Sequence, residues 1–264
     1  KLNQRQLSMS RSLVTIVLAL VPMGLYGRAL AYLDDALELG RTASPGIDQC
    51  FVAGLAAFFY CETHQYDRAR QWAVAYRAMA DRGGFATWSQ VGRAYECWAR
   101  AQMGEAHEVL QLARDLLARA EAQRYGSHLP GYLRVLADCC VADGRAQEAL
   151  AIASRGLAIC AELDHGQHLV PLNLARARAL LLLDPPDQAA AEESFQDAIA
   201  VARRQEARVF ELRAAVELGR LWQSQGRAGE AIALVQPVYD WFTEGFDLPD
   251  LVEARELLAE VGRL

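Results

Sequence analysis

The sequence predicts an all-α solenoid of about six helix pairs, each near 40 residues, closed by a capping helix. Three observations carry this. The phrase GRAQEALAIA at 144–153 returns almost unchanged as GRAGEAIALV at 226–235. Helix-forming Ala, Leu, Glu, Arg and Gln fill every window, while the 264 residues contain only 8 prolines and 19 glycines. Apolar residues recur at helical spacing, as in Leu150, Ala153, Leu157 and Cys160.

The repeat supplies the register. Anchored on the Ala after G-R-A-x-E, it runs Ala29, Ala69, Val109, Ala149, Ala191 and Ala231, at intervals of 40, 40, 40, 42 and 40 residues. The longer interval contains Asp184-Pro185-Pro186-Asp187, a turn with two extra residues. Twelve residues before each anchor stand Val17, Ala57, Cys97, Ala137, Ala179 and Gly219, and four after it Leu33, Ala73, Ala113, Ala153, Phe195 and Val235. Small residues facing each other across a turn let two antiparallel helices approach closely.

The predicted pairs are 8–23/27–40, 47–62/67–81, 86–102/105–123, 128–142/146–163, 168–183/188–204 and 207–224/228–242. The repeats run approximately 8–42, 47–82, 86–124, 128–164, 168–205 and 207–243 within one domain. Gly144 and Gly226 suit the left-handed residue that ends a helix. The last helix, 248–261 within a cap of 248–262, has the stripe Leu251, Ala254, Leu257, Leu258 and Val261 backed by Asp250, Glu253, Glu256 and Glu260. A stacked array needs such a polar-backed end.

Composition narrows the function. A net charge of −6 gives no broad basic surface for nucleic acid. The run RSLVTIVLALVPMGLYGRALA at 11–31 has the outline of a secretory signal. Ala29 inside it falls in the repeat column, so a structural role is favoured. With about fifteen apolar residues it is shorter than the roughly 20 that span a bilayer. Cys50, Cys61, Cys97, Cys139, Cys140 and Cys160 show no C-x-x-C spacing and read as buried free thiols of a cytoplasmic protein. The chain opens on Lys1 rather than Met, which reads as part of a longer protein.

Candidate chemistry is sparse. His165-Gly166-Gln167-His168 beside Asp164 offers too few ligands for a metal and reads as a loop between repeats. Adjacent Cys139 and Cys140 point about 100° apart on a helix, which disfavours a redox pair. Trp222, Tyr239, Trp241, Phe242 and Phe246 could form a cage, but at this place in an array they are expected to seal the last groove. There is no phosphate-binding G-x-x-x-x-G-K-[ST], no G-x-G-x-x-G, and no grouping of nucleophile and base. No cofactor, no metal and no enzymatic activity are expected.

A small residue, Ala twelve positions on and a bulky apolar residue four further resembles the tetratricopeptide pattern, best filled by Ala191, Phe195 and Ala198. The resemblance implies a right-handed α-α superhelix. Residues 211–258, with GFATW at 84–88, Ala189-Ala190-Ala191-Glu192-x-x-Phe195 and WFTEGFD at 241–247, look like the tetratricopeptide tail of bacterial multidomain proteins. In those proteins the tail follows a class III adenylate/guanylate cyclase domain and an AAA/STAND-type ATPase. The resemblance implies a non-catalytic interaction or sensor module, with those activities in parts outside this chain.

In tetratricopeptide arrays the first helices line the concave face. The resemblance therefore puts Arg11, Phe51, Phe58, Trp98, Arg134, Asp138, Asn173, Arg176, Arg213 and Arg220 in a groove, aromatic in its first half and arginine-rich in its second. Guanidinium forks bind carboxylates and aromatic rings anchor apolar side chains, which points to an acidic-hydrophobic peptide or a neighbouring domain. Two alternatives stay open. The positions could be ordinary exposed or inter-helix residues, or the ligand could be a small effector held in the groove or between repeats.

Overall fold

The computed structural model describes residues 2–42, 46–123, 126–163 and 166–262, with the backbone alone for 2–11, 42 and 127. Among these residues the chain forms thirteen α-helices and no strand. They pair in order as α1 Leu2–Met23 with α2 Tyr26–Thr42, α3 Ile47–Glu62 with α4 Tyr66–Gly83, and α5 Ala86–Arg100 with α6 Ala106–Ala122. There follow α7 Leu129–Ala142 with α8 Ala146–Leu163, α9 Leu169–Leu181 with α10 Gln188–Arg204, α11 Arg208–Ser224 with α12 Ala228–Tyr239, and the single α13 Pro249–Val261.

The turns explain why the helices break where they do. Gly24, Gly104, Gly144 and Gly226 have φ of 79°, 91°, 72° and 76°, the left-handed conformation that glycine adopts without a Cβ clash. At the fourth turn the Arg145 amide donates to the Cys140 carbonyl at 2.8 Å and Gly144 to Val141 at 3.0 Å, which satisfies carbonyls the helix leaves open. The second pair places His64 in this slot at φ 57°, a conformation costing a non-glycine residue about 1–2 kcal/mol.

In the fifth pair Asp187 donates to the Leu180 carbonyl at 3.1 Å, the counterpart of Arg145 to Cys140. The two extra residues therefore lie wholly inside that turn. The first-helix column continues from Ala137 to Ala177 rather than to Ala179, although all three are fully buried. The Asp187 side chain then caps α10 by accepting from the Ala190 amide at 3.0 Å.

The anchor column is the seam of the stack. Ala29, Ala69, Ala149 and Ala191 have 0% exposure, Val109 and Ala231 1%. Phe195, at 1%, fills the wider gap in the fifth pair, where burying such a side chain is worth about 1.5–3 kcal/mol. In the segment 11–31, Val17, Val21 and Ala29 are likewise buried within the stack.

The superhelix curls until its first pair meets its last. Helix α1 packs against α11 as well as α2 and α3. Helix α12 ends at Tyr239, three residues short of the expected 242, because the chain there turns back toward the first pair. The Phe242 ring covers Gly24, where a Cβ would come within 2.4 Å of it. The Gly27 amide donates to Glu244 at 3.2 Å, and the Tyr26 hydroxyl to Asp250 at 3.5 Å. These contacts join the first pair to the last across the concave side.

Candidate functional site

Counting by 40 residues along the first helices, then by 42 across the longer turn, gives the row Leu18, Phe58, Trp98, Asp138, Arg178 and Arg220. All six line the interior, which divides into two chambers. The first, of about 420 Å³, is walled by Leu18, Phe51, Phe58, Trp88 and Tyr95. The second, of about 470 Å³, is walled by Trp98, Asp138, Arg178, Arg213, Glu217 and Arg220. One repeated slot thus changes from apolar to charged along the stack.

A buried ion-pair network separates the chambers. Glu62, the last residue of α3, receives both arms of the Arg134 guanidinium at 2.5 and 3.1 Å. Arg134 lies over the Trp98 ring, 4.2 Å from its centroid. Arg213 reaches across the superhelix to the Glu62 carbonyl at 2.9 Å and binds Asp250 bidentately at 2.8 and 2.9 Å. Arg178 is held by Glu217 at 2.8 and 2.6 Å. Forked pairs of this kind fix geometry as well as charge.

The local fields follow from these partners. Burial alone would raise the Glu62 carboxyl, but Arg134 and Arg213 outweigh it and hold it below the usual carboxylate range. Asp250 behaves likewise, with Arg213 and His64 overcoming its burial. Asp138 does the opposite: burial raises it, and Arg134 and Arg178, each 3.9 Å away, fail to offset the loss of water. His64 stacks on Tyr66 at 5.5 Å and lies 3.8 Å from Asp250. Burial, then Arg213, push its imidazole down to about 4, so it is neutral near pH 7.

Phe51 and Phe58 sit in the aromatic chamber, where Phe51 packs edge-on to Trp88 at 5.3 Å and Phe58 lies 6.5 Å from Tyr95. Trp98, Asp138, Arg213 and Arg220 line the charged chamber, and Arg134 borders both. Arg134 and Arg213 are buried, with their forks taken by the protein's own carboxylates. Asn173 and Arg176 line neither chamber. The inward row of α9 is Pro171, Leu174 and Arg178, and two residues on from Pro171 or Leu174 is about 200° round the helix. Asn173 instead donates to the Leu169 carbonyl at 3.0 Å, and the Arg176 Nε is buried without a hydrogen-bond partner. The side chain of Arg11 lies outside the described residues.

Sequence reasoning missed Arg178, although the 40-residue step from Asp138 points to it. It also missed Glu62, His64 and Glu217, for which it had no local signal.

The remaining candidates resolve into packing. Asp164 and His165 lie outside the described residues, and His168 lines the aromatic chamber. Among the described residues no group of three His, Cys, Asp or Glu is placed to hold a metal ion. All six cysteines are free and buried; burial pushes the Cys140 thiol up to about 12 and raises that of Cys139. Phe242 seals the contact with the first turn, Tyr239 packs on Phe246 at 6.0 Å, and Trp222 lies under Arg227 at 4.5 Å. No helix of the described residues is long and apolar enough to cross a membrane.

No family model matches the chain, and no curated protein matches it. Several solved structures do. NprR, solved in complex with its cognate peptide NprX, aligns over 98% of this chain and 71% of its own with a TM-score of 0.71 at 12% identity. Aspartyl phosphate phosphatase F from Bacillus subtilis aligns over 89% of this chain and 60% of its own, with a TM-score of 0.62 at 14% identity. A putative kinesin light chain of Podosopora anserina with nearly identical TPR-like repeats aligns over 82% of this chain and 97% of its own, with a TM-score of 0.51 at 19% identity. At these identities the likeness is one of fold: the chain is a tetratricopeptide-like α-solenoid.

Proposed function

We propose that the chain is a non-catalytic recognition module that takes a peptide, or a segment of a neighbouring domain, into its concave interior. The observation that carries this is the inward row of the first helices, which walls two chambers and changes from rings to charges along one register. The aromatic chamber is suited to apolar side chains, since ring walls supply contact area at small entropic cost. The fold shared with NprR, solved with its cognate peptide, supports the same reading.

In this reading the module is the regulatory tail of a longer cytoplasmic signalling protein of the cyclase and ATPase type. The string WFTEGFD supports it by resemblance. A ligand that fits only one arrangement of the array would bias whatever is attached. A second reading, a receptor for a small effector, is favoured by chamber volumes of about 420 and 470 Å³, within the range of small-molecule sites.

The test is a peptide array probed with the folded chain, followed by fluorescence titration of any peptide retained. Phe58→Arg should abolish retention of apolar peptides by filling the aromatic chamber with a charged side chain, with helicity unchanged. Retention equal to that of the unaltered chain would refute peptide binding in the interior. Thermal stabilisation by a single small compound, with none by any peptide, would transfer the conclusion to the small-effector reading.

A further inference from the structure

The charged chamber contains more carboxylates than its guanidiniums neutralise. Arg134, Arg178, Arg213 and Arg220 line it. Asp138, Glu217 and Glu253 line it as well, and Glu62 and Asp250 are paired to two of those arginines, which makes five carboxylates against four guanidiniums. Three pairs close bidentately: Arg134 with Glu62, Arg178 with Glu217, and Arg213 with Asp250. The buried Asp138 and the exposed Glu253 and Arg220 are left over.

Asp138 is the exceptional member. Its side chain is 8% exposed, yet among the described residues it accepts no hydrogen bond. Its nearest cationic atoms, Arg134 Nε and Arg178 Nη1, are both 3.9 Å away, and both arginines are already bound by other carboxylates. An ionised carboxylate offers about four acceptor positions, and buried ones are normally filled. Here they face a chamber of about 470 Å³. The Arg134 Nε, 3.9 Å from it, is likewise buried without a hydrogen-bond partner, so neither group satisfies the other.

We infer that Asp138 is the anchor for a cationic hydrogen-bond donor of the ligand, a primary ammonium or guanidinium, with Glu253, an exposed residue of the same lining, as the second carboxylate. The inference rests on the interior being a ligand site and sets the charge of what enters it. A peptide that places its N-terminus, a Lys or an Arg in the charged chamber fits; a peptide whose distinguishing feature is acidity does not. Arg134 and Arg213, two of the arginines that suggested an acidic partner, are bound by the protein's own carboxylates, and of the arginines that line the charged chamber Arg220 is left without such a pair among the described residues.

The test uses the full chain and four simple probes: agmatine, 1-aminopentane, pentan-1-ol and pentanoate, followed by calorimetric titration. Agmatine and 1-aminopentane should bind saturably at concentrations up to about 10 mM, and the alcohol and the carboxylate should not. Asp138→Asn should weaken amine binding by about 10-fold, since it removes the charge-assisted half of the contact. Arg220→Gln, at an exposed position that leaves the fold intact, should tighten amine binding by about 2-fold by removing a like charge. Glu253→Gln should weaken it, and this decides the matter if Asp138→Asn fails to fold. Absence of amine binding, equal binding by Asp138→Asn, or pentanoate binding lost in Arg220→Gln would each overturn the inference. If apolar peptides still bind through Phe58 while amines do not, this inference alone falls and the recognition module stands.

Discussion

The two chambers share one row of the repeat and differ in how their side chains are partnered. In the charged half, long side chains turn toward one another: Arg134, Arg178 and Arg213 are all bound by carboxylates of other helices. In the aromatic half Phe51 meets Trp88 edge-on, Phe58 lies tilted 6.5 Å from Tyr95, and Phe51 keeps 41% exposure. Residue types that looked like equivalent binding groups therefore divide. Arg134, Arg178 and Arg213 tie first helices to other elements of the superhelix, and the exposed ring of Phe51 has no such tie. Charge at a concave surface is first a demand for internal partners, because water is scarce there.

The largest effect that would break this contrast lies at Arg213, whose side chain is 7% exposed. Arg213→Ala leaves Asp250 buried without its partner and releases the Glu62 carbonyl, a change of the class that costs about 3–5 kcal/mol. Denaturant unfolding followed by circular dichroism should show the midpoint falling accordingly. The double replacement Glu62→Met with Arg134→Leu should cost less than either single change, since it removes both charges together. Near-wild-type stability of Arg213→Ala would mean that the charged half is no more structural than the aromatic one.

The next effect is a pH dependence confined to the charged half. His64 has an ordinary value of 6.5, and in the fold burial and Arg213 push it down to about 4. Its neutral form is therefore the folded form, and the unfolded chain binds the extra proton. The stability it contributes is complete above pH 6.5 and is lost as pH falls from there toward about 4, by up to about 3 kcal/mol. Glu62 and Asp250, held low by their arginines, lose theirs at still lower pH. Asp138 and Glu253, raised chiefly by burial, act in the opposite sense. The quantity to read is thus the difference between wild type and His64→Gln in the unfolding midpoint from pH 7 to 4.5. A difference that stays constant over that window would detach His64 from the network.

How much of this the sequence disclosed depends on how far away the cause of each feature sits. The seam and the turns are local: a small residue opposite another, and a glycine where the backbone is left-handed, are written at the positions that need them. The inward row was legible in principle by its 40-residue step, yet α9 gave no help in phasing it. Val170 to Ala175 are buried on every side, so no polar boundary marks which face is concave, and the pattern points to Asn173 and Arg176 in place of Arg178. The network itself was not legible. Glu62 meets Arg134 across 72 positions and Arg213 across 151, and Tyr26 meets Asp250 across 224. Only the curl of the stack brings them together, and no pattern within one repeat encodes it.

The smallest effect on stability should accompany the clearest effect on recognition, and it lies at Phe51. With 41% exposure and one edge-on contact to Trp88, the ring contributes little to the fold. Phe51→Ala should change the unfolding free energy by less than about 1 kcal/mol, far below the several expected when a fully buried ring is removed. If the aromatic half is the recognising half, the same substitution should weaken binding of an apolar peptide by about 10-fold or more, as expected when a ring anchor is lost. Arg213→Ala assayed on the fraction still folded should do the reverse, with large loss of stability and modest change in apolar binding. A substitution at Phe51 that destabilised as much as one at Arg213, or left binding untouched, would erase the distinction, because the two chambers would then be one continuous core. The repeat leads us to expect the opposite. One slot placed six times along the superhelix can be structural where its side chains find partners, as Trp98 under Arg134 and Arg178 with Glu217 do, and receptive where a ring such as Phe58 lines the aromatic chamber.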